Sequence, residues 1–283
     1  MIKVLNPGLS TTIQDSGRMN GLAFGVPKGG AMDLNLAYFV NALVGNPISY
    51  PVIEFTLIGG EYEFSEMSTI ALSGYNMISE INGIKTLGDT PIKVNKGDVL
   101  KIKSSGSGRY CYLAIQGKIK ADEFWGSYST YEYAKKGGYK GRRLIKGDEI
   151  EICLSNLYHQ SLNKPQLENQ VIRICKGPEF KDFSFDDIKR LVNHEYTIGL
   201  DSNRMGYRLE GSLLNGTKTG NILSSGVIPG TIQVPASGSP IVLMADSPCT
   251  GGYPRIAVVH HEDFRKISQA LPNQKIKFVW DEF

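Results

Sequence analysis

Apolar residues recur along this chain mostly in short runs or with a period of two, at 52–57, 62–64, 69–72, 99–102, 110–115, 150–154, 171–175, 241–244 and 276–279. Gly, Pro, Asn, Asp or Ser bounds each run. A period of two puts alternate side chains on opposite faces, so each run predicts a strand closed by a tight turn. Asn82-Gly83, between 78–81 and 84–85, predicts a two-residue hairpin of the kind that needs two positive-φ residues. Lys96-Gly97-Asp98 and Lys146-Gly147-Asp148 each precede an alternating strand; two copies are too few to define a repeat. Three segments carry helical spacing instead: 32–45 (Leu36, Phe39, Val40 and Leu43, with Asp33 near the start and Gly45-Asn46 at the stop), 185–193 and 261–271. The prediction is a mainly β protein with a few short helices acting as connectors or plugs, its strands closed into barrels or sandwiches that leave few free edges.

Length divides this pattern. At 283 residues the chain exceeds the usual size of one domain. The aperiodic polar stretch 156–170, with Asn163, Lys164, Pro165, Gln166 and Asn169, reads as a link between lobes. The expected division is an N-terminal β lobe at 1–158, a linker at about 159–165 and a C-terminal β-barrel lobe at 166–283.

Composition is that of a globular protein, 41% apolar and 21% charged, with a net charge of +3. Lys135, Lys136, Lys140, Arg142 and Arg143 form the one dense basic cluster. It could meet phosphates, but among Gly137, Gly138, Gly141 and tyrosines it reads first as a mobile solvated loop, and no nucleic-acid partner is expected. No apolar run reaches the ~18–20 residues of a membrane span, and Met1-Ile2-Lys3-Val4-Leu5 lacks a signal peptide's apolar stretch, so the expectation is a cytoplasmic protein without membrane contact. The four cysteines have no Cys-x-x-Cys spacing and no nearby His, so no metal site is expected; Cys111, Cys153 and Cys175 read as small core hydrophobes. His260 and His261, taken as strand neighbours, should face opposite ways and share no metal.

Four segments concentrate Gly, Asp, Arg and Thr. The first runs from Gly8 through Asp15 and Arg18 to Gly29-Gly30-Ala31-Met32-Asp33, where glycines ahead of a helix either make a turn or aim amide donors at an anion. The second is Asp201-Ser202-Asn203-Arg204-Met205-Gly206-Tyr207-Arg208-Leu209-Glu210-Gly211. Its two arginines could hold a carboxylate or phosphoryl group, or join Asp201 and Glu210 in an internal ion-pair network; both readings stand. The third, Gly230-Thr231-Ile232-Gln233-Val234-Pro235, is a short strand with a single amide side chain. The fourth, Met244 to Pro254, places Asp246 before Thr250-Gly251-Gly252-Tyr253: a site rim supplying a carboxylate, a hydroxyl and backbone donors, or a β-bulge. Cys249 has no basic group close in sequence and reads as an inert thiol.

Taken in order, Gly8-Leu9-Ser10-Thr11-Thr12-Ile13-Gln14-Asp15, Gly17-Arg18, Gly25-Val26-Pro27, Gly30-Ala31-Met32-Asp33, Leu43-Val44-Gly45-Asn46, Glu54, Gly126-Ser127-Tyr128-Ser129-Thr130, the Asp201–Leu209 stretch (201–209), Gly230 to Pro235 and Thr250 to Pro254 resemble one family over nearly the whole chain. It is variously called the C component of 5-oxoprolinase, the second component of allophanate hydrolase and biotin-dependent carboxyltransferase domain. The resemblance implies two cyclophilin-like β-barrel lobes and one component of an ATP-dependent 5-oxoprolinase, inactive alone. In that enzyme a B-type partner, joined to this chain as a heterodimer or heterotetramer, and an amidohydrolase-like A-type component help to open 5-oxoproline to glutamate. The resemblance also implies ATP, with or without magnesium, as the nucleotide. Asp15, Arg204 and Asp246 are the catalytic candidates; Arg18, Met32, Asp33, Asn203, Arg208, Gln233, Thr250, Gly251, Gly252 and Tyr253 are the substrate- or nucleotide-binding candidates. Two other activities in the family stand as alternatives: a Kip-type anti-inhibitor without turnover, and carboxyl transfer from biotin on a separate carrier. The chain has no biotin-attachment lysine in a Met-Lys setting and no Gly-Lys-Ser/Thr phosphate loop. It departs from the family where Ser247-Pro248-Cys249 replace an Arg-Gln-Thr, and where Tyr131-Glu132-Tyr133 and added lysines follow Ser129-Thr130.

Overall fold

The computed structural model describes residues 1–153, 157–158, 161–167, 171–216 and 220–281. Among them the protein is mainly β, with three short α-helices: α1 (Leu34–Leu43), α2 (Phe185–Asn193) and α3 (Phe264–Ser268). Its backbone contacts define two compact units, one of Met1–Asn20 with Gly29–Gln166 and one of Gly21–Lys28 with Leu167–Phe283. Residues 159–160 of the expected linker lie outside the described residues. Described parts of the polar stretch are tied to the first unit: the Tyr158 amide donates to the Gly45 carbonyl at 2.7 Å, and Lys164 reaches Asp89 at 2.7 Å and the Gly74 carbonyl at 2.8 Å.

In the first unit, one antiparallel sheet has the order Glu149–Ile150, Ile2–Asn6, Gly60–Phe64, Val99–Ser104, Ile78–Ile81, Ile84–Lys85. A second has the order Thr11–Gln14, Val52–Thr56, Tyr110–Ile115, Ser68–Ser73, Pro91–Val94. Alternate residues of both, including Val4, Ile13, Phe55, Phe64, Leu72, Leu100 and Leu113, pack into one core. Truncating a buried phenylalanine such as Phe55 to alanine costs about 3–5 kcal/mol by lost transfer energy and cavity formation. In the second unit seven strands close a barrel: Val171–Lys176, Arg255–Val259, Thr231–Gln233, Ile241–Leu243, Gly206–Gly211, Glu195–Ile198 and Lys275–Trp280, the last pairing in parallel with the first.

Local signals placed several elements. Asn82 (φ 52°) and Gly83 (φ 81°) make the hairpin turn, with Ile81 opposite Ile84. Gly97 and Gly147 both take positive φ, and the aspartate after each accepts the amide three residues back, Asn95 to Asp98 at 2.7 Å and Ile145 to Asp148 at 2.8 Å. The α1 helix begins on Asp33, whose carboxylate accepts the Leu36 amide at 3.1 Å, and stops at Gly45 with φ 73°. Thr11–Gln14 escaped the pattern because all four residues are buried, which erases the alternation.

Three expectations are corrected. Cys153 and Cys175 are exposed, and Cys111 alone of the three is core; in Val171–Lys176 it is Ile172 and Ile174 that turn inward, so Cys175 faces out. His260 and His261 do not diverge: the strand ends at Val259, the chain turns into a 3-10 helix, and the two rings lie 4.5 Å apart. The basic segment is folded into tight turns, with bridges Tyr131–Lys136 and Tyr139–Arg142, Arg142 paired with Asp148 at 2.7 Å and Arg143 with Glu132 at 2.8 Å. Among the described residues no helix is long and apolar enough to cross a membrane.

Candidate functional site

In the first unit, Asp15 follows the strand Thr11–Gln14 and is 7% exposed. Its carboxylate accepts the Gly17 amide at 2.8 Å, the Tyr128 amide at 2.6 Å, the Ser127 hydroxyl at 2.7 Å and the Ser129 hydroxyl. A carboxylate offers about four acceptor positions, so four donors bind this one as a joint between the 15–18 and 127–129 turns. Arg18 is buried beside it: its guanidinium donates to the carbonyls of Phe124 and Ser129 and lies 5.7 and 5.8 Å from the ring centres of Phe124 and Tyr131. Gly138 permits this packing, because any Cβ there would overlap the Thr130 side chain.

The turn entering α1 is equally occupied. The Ala31 amide donates to the Asp15 carbonyl at 2.9 Å, Met32 to the Glu54 carboxylate at 2.8 Å and Asp33 to the Tyr112 hydroxyl oxygen at 2.8 Å. The Asp33 carboxylate takes the Leu36 amide and the Tyr75 hydroxyl. Donors that the sequence offered to a bound anion are therefore engaged by the chain's own groups. The Met32 side chain is buried. Burial, followed by the nearby Glu54 and Asp33 charges, pushes the Tyr112 hydroxyl well above the ordinary phenol range, so it stays a proton donor.

The second unit gathers the other candidates on the barrel strands and their loops. Arg204 precedes the strand Gly206–Gly211 and pairs with Asp246 through two bonds, Nε at 2.7 Å and Nη2 at 2.9 Å. That pairing reaches across to the segment after Ile241–Leu243 and not to Asp201 in its own motif. Asn203 caps its own turn, its side-chain oxygen accepting the Met205 amide at 2.8 Å. Strand alternation buries Tyr207 and Leu209 and exposes Arg208. Gln233 is buried, with its amide nitrogen 3.5 Å from the Tyr253 carbonyl, and a Cβ on Gly251 would stand 2.5 Å from that nitrogen. Thr250–Gly251 pairs with Ser225–Gly226, Gly252 accepts the Ile222 amide at 2.9 Å, and Thr250 and Tyr253 are exposed.

Arg255 and Glu179, absent from the sequence-based candidates, support this ribbon. Arg255 binds Glu179 through Nε at 2.7 Å and Nη2, and donates to the Gly226 carbonyl at 2.6 Å. The Arg255 hydrogen bond holds the Glu179 carboxyl below its usual range. The available signal was Arg255 itself, directly after Thr250-Gly251-Gly252-Tyr253-Pro254. Burial raises the Cys249 thiol, as expected of an inert one.

Fold and site together define the class. The chain belongs to the family described as carboxyltransferase domain, subdomain A and B, which it matches over residues 24–280. Within that class it is 36% identical to the C component of 5-oxoprolinase from Escherichia coli K12, over 99% of this chain and 91% of that one. It is 31% identical to the urea amidolyase of Lachancea kluyveri, covering 98% of this chain and 17% of that protein. The crystal structure of the Kluyveromyces lactis urea carboxylase superposes with a TM-score of 0.91 at 29% identity, over 98% of this chain and 27% of that one. The chain thus spans nearly all of the bacterial relative and about a quarter or less of these fungal proteins.

Proposed function

We propose that this chain is the C component of an ATP-dependent 5-oxoprolinase, opening 5-oxoproline to glutamate together with the B-type and A-type components. The observation that carries the reading is the likeness to a stand-alone bacterial protein of that name, nearly end to end in both chains. A lactam carbonyl is a poor electrophile. Transfer of the terminal phosphoryl group of ATP to the lactam oxygen releases ADP and makes the ring carbon reactive. Water then adds, the ring nitrogen leaves as the amine, and a second water frees phosphate from the acyl phosphate. Catalysis of the first step is mainly positioning and charge stabilisation. Exposed Arg208, Asn203, Thr250 and Tyr253 are the groups we assign to ligand or partner contact, Gln233 and the backbone of Gly251 and Gly252 shaping the floor beneath. Asp15, Arg18, Met32, Asp33, Arg204 and Asp246 hold the turns in place. Asp15 and Asp246, which the sequence offered as catalytic, are assigned positioning roles because each carboxylate is engaged on both oxygens.

The test is phosphate release from ATP with 5-oxoproline, using this chain with and without its cognate B-type and A-type components. Release that needs 5-oxoproline and all three proteins is expected; a stable complex without 5-oxoproline-dependent turnover would sink the reading. Family membership and the urea carboxylase likeness favour a second reading, carboxyl transfer from a biotinyl carrier. It requires that a biotinylated carrier protein bind this chain and lose carboxylate in its presence.

A further inference from the structure

We propose that Glu54 and Tyr112 are positioning residues: from beneath the five-stranded sheet they fix the Gly29–Asp33 turn (29–33), and through it the turn at Asp15. Thr12, Glu54, Tyr112 and Ser73 stand in register on four adjacent strands. All four are buried, on the face opposite Ile13, Phe55, Leu72 and Leu113, where α1 packs. A buried polar row in a sheet is costly unless its members are hydrogen-bonded, and here the bonds run to the backbone of one turn. One Glu54 oxygen accepts both the Met32 amide and the Tyr112 hydroxyl at 2.8 Å, and that hydroxyl oxygen accepts the Asp33 amide at 2.8 Å. The same turn is fastened at its other end, where the Ala31 amide meets the Asp15 carbonyl at 2.9 Å and Gly30 lies against Gly17 so closely that a Cβ would stand 2.9 Å from the Gly17 nitrogen. Glu54 contributes reach: it brings one acceptor oxygen to two donors. Charge is secondary to that role.

This inference rests on the 5-oxoprolinase reading for its activity arm, and a structural arm tests it independently. Glu54→Gln keeps the length and an acceptor oxygen; Glu54→Asp keeps the charge and withdraws the carboxylate by one methylene. In the assembled enzyme, kcat for 5-oxoproline-dependent phosphate release should fall about tenfold or more in Glu54→Asp and less than threefold in Glu54→Gln, with KM within twofold in both. The reverse order would make Glu54 an acid or base and overturn the proposal, as would activity that simply tracks the melting temperature. On the isolated chain, amide hydrogen exchange should speed at least tenfold across 31–33 in Glu54→Asp and Tyr112→Phe, and spread to 15–18. Faster exchange confined to 31–33 would refute the transmission even if the wild-type enzyme releases no phosphate with 5-oxoproline.

Discussion

Arg204 and Asp246 are joined twice: two parallel N–H···O bonds link the side chains at 2.7 and 2.9 Å, and the Asp246 amide donates to the Arg204 carbonyl at 2.9 Å. The pair clasps the turn before one barrel strand to the turn after its neighbour. Both side chains are about 15% exposed, so removing one partner leaves the other largely desolvated. Arg204→Ala should cost about 2 kcal/mol or more, read as a lower urea midpoint at unchanged m-value. Arg204→Lys should recover part of that, since an ammonium cannot reproduce the two-pronged geometry.

Asp15→Ala removes the acceptor shared by two amides and two hydroxyls. Leaving several buried donors without a partner should cost roughly 3 kcal/mol or more. Thermal unfolding of the isolated chain gives the value; a melting temperature unchanged within about 2 °C would contradict the role of Asp15 as a joint.

Acid stability should depend on Asp263. Burial opposes its ionisation, but hydrogen bonds from the Arg173 side chain and amide and from Lys266 outweigh it, lowering its pKa from 3.8 to about 2. A folded pKa below the unfolded one means that the carboxylate contributes stability in full above about pH 4 and loses it as pH falls toward about 2. Asp263→Asn should therefore be less stable than wild type at pH 7, and the two should converge across that window in pH-dependent denaturant titrations.

Gly251→Ala should leave the fold intact and disturb the candidate site. The new methyl group meets the end of the Gln233 side chain, 2.5 Å away, and Gly251 has no positive φ to strain. We expect a melting temperature within a few degrees of wild type and at least a fivefold loss of 5-oxoproline-dependent phosphate release in the assembled enzyme.

Thiol labelling should separate the cysteines by burial. Cys153 and Cys175 are exposed, Cys249 is partly covered and Cys111 is buried, its thiol pushed up by desolvation. An aromatic disulfide reagent should modify two thiols quickly, a third slowly and the fourth on unfolding. Labelling of Cys111 in the native protein would contradict the packing of the first unit's core.

Signals that lie within a few residues of each other were legible in the sequence. The Asn82-Gly83 hairpin, the two Lys-Gly-Asp turns, the Asp33 start and Gly45 stop of α1 and the helix at Phe185–Asn193 are fixed by local φ preferences, caps and periodicity, which act between neighbours in the chain. The motifs were legible too, and with them the family. What each motif residue touches was decided by the tertiary structure. Asp15 meets Ser127 and Ser129 across 112 and 114 positions, Arg204 meets Asp246 across 42, and Arg255 meets Glu179 across 76. Nothing local selects those partners: a carboxylate beside Gly17 could equally face a ligand, and an arginine beside Asp201 could pair there. Which donors a buried carboxylate receives depends on which strands lie side by side, and that order is set by long-range burial of the core.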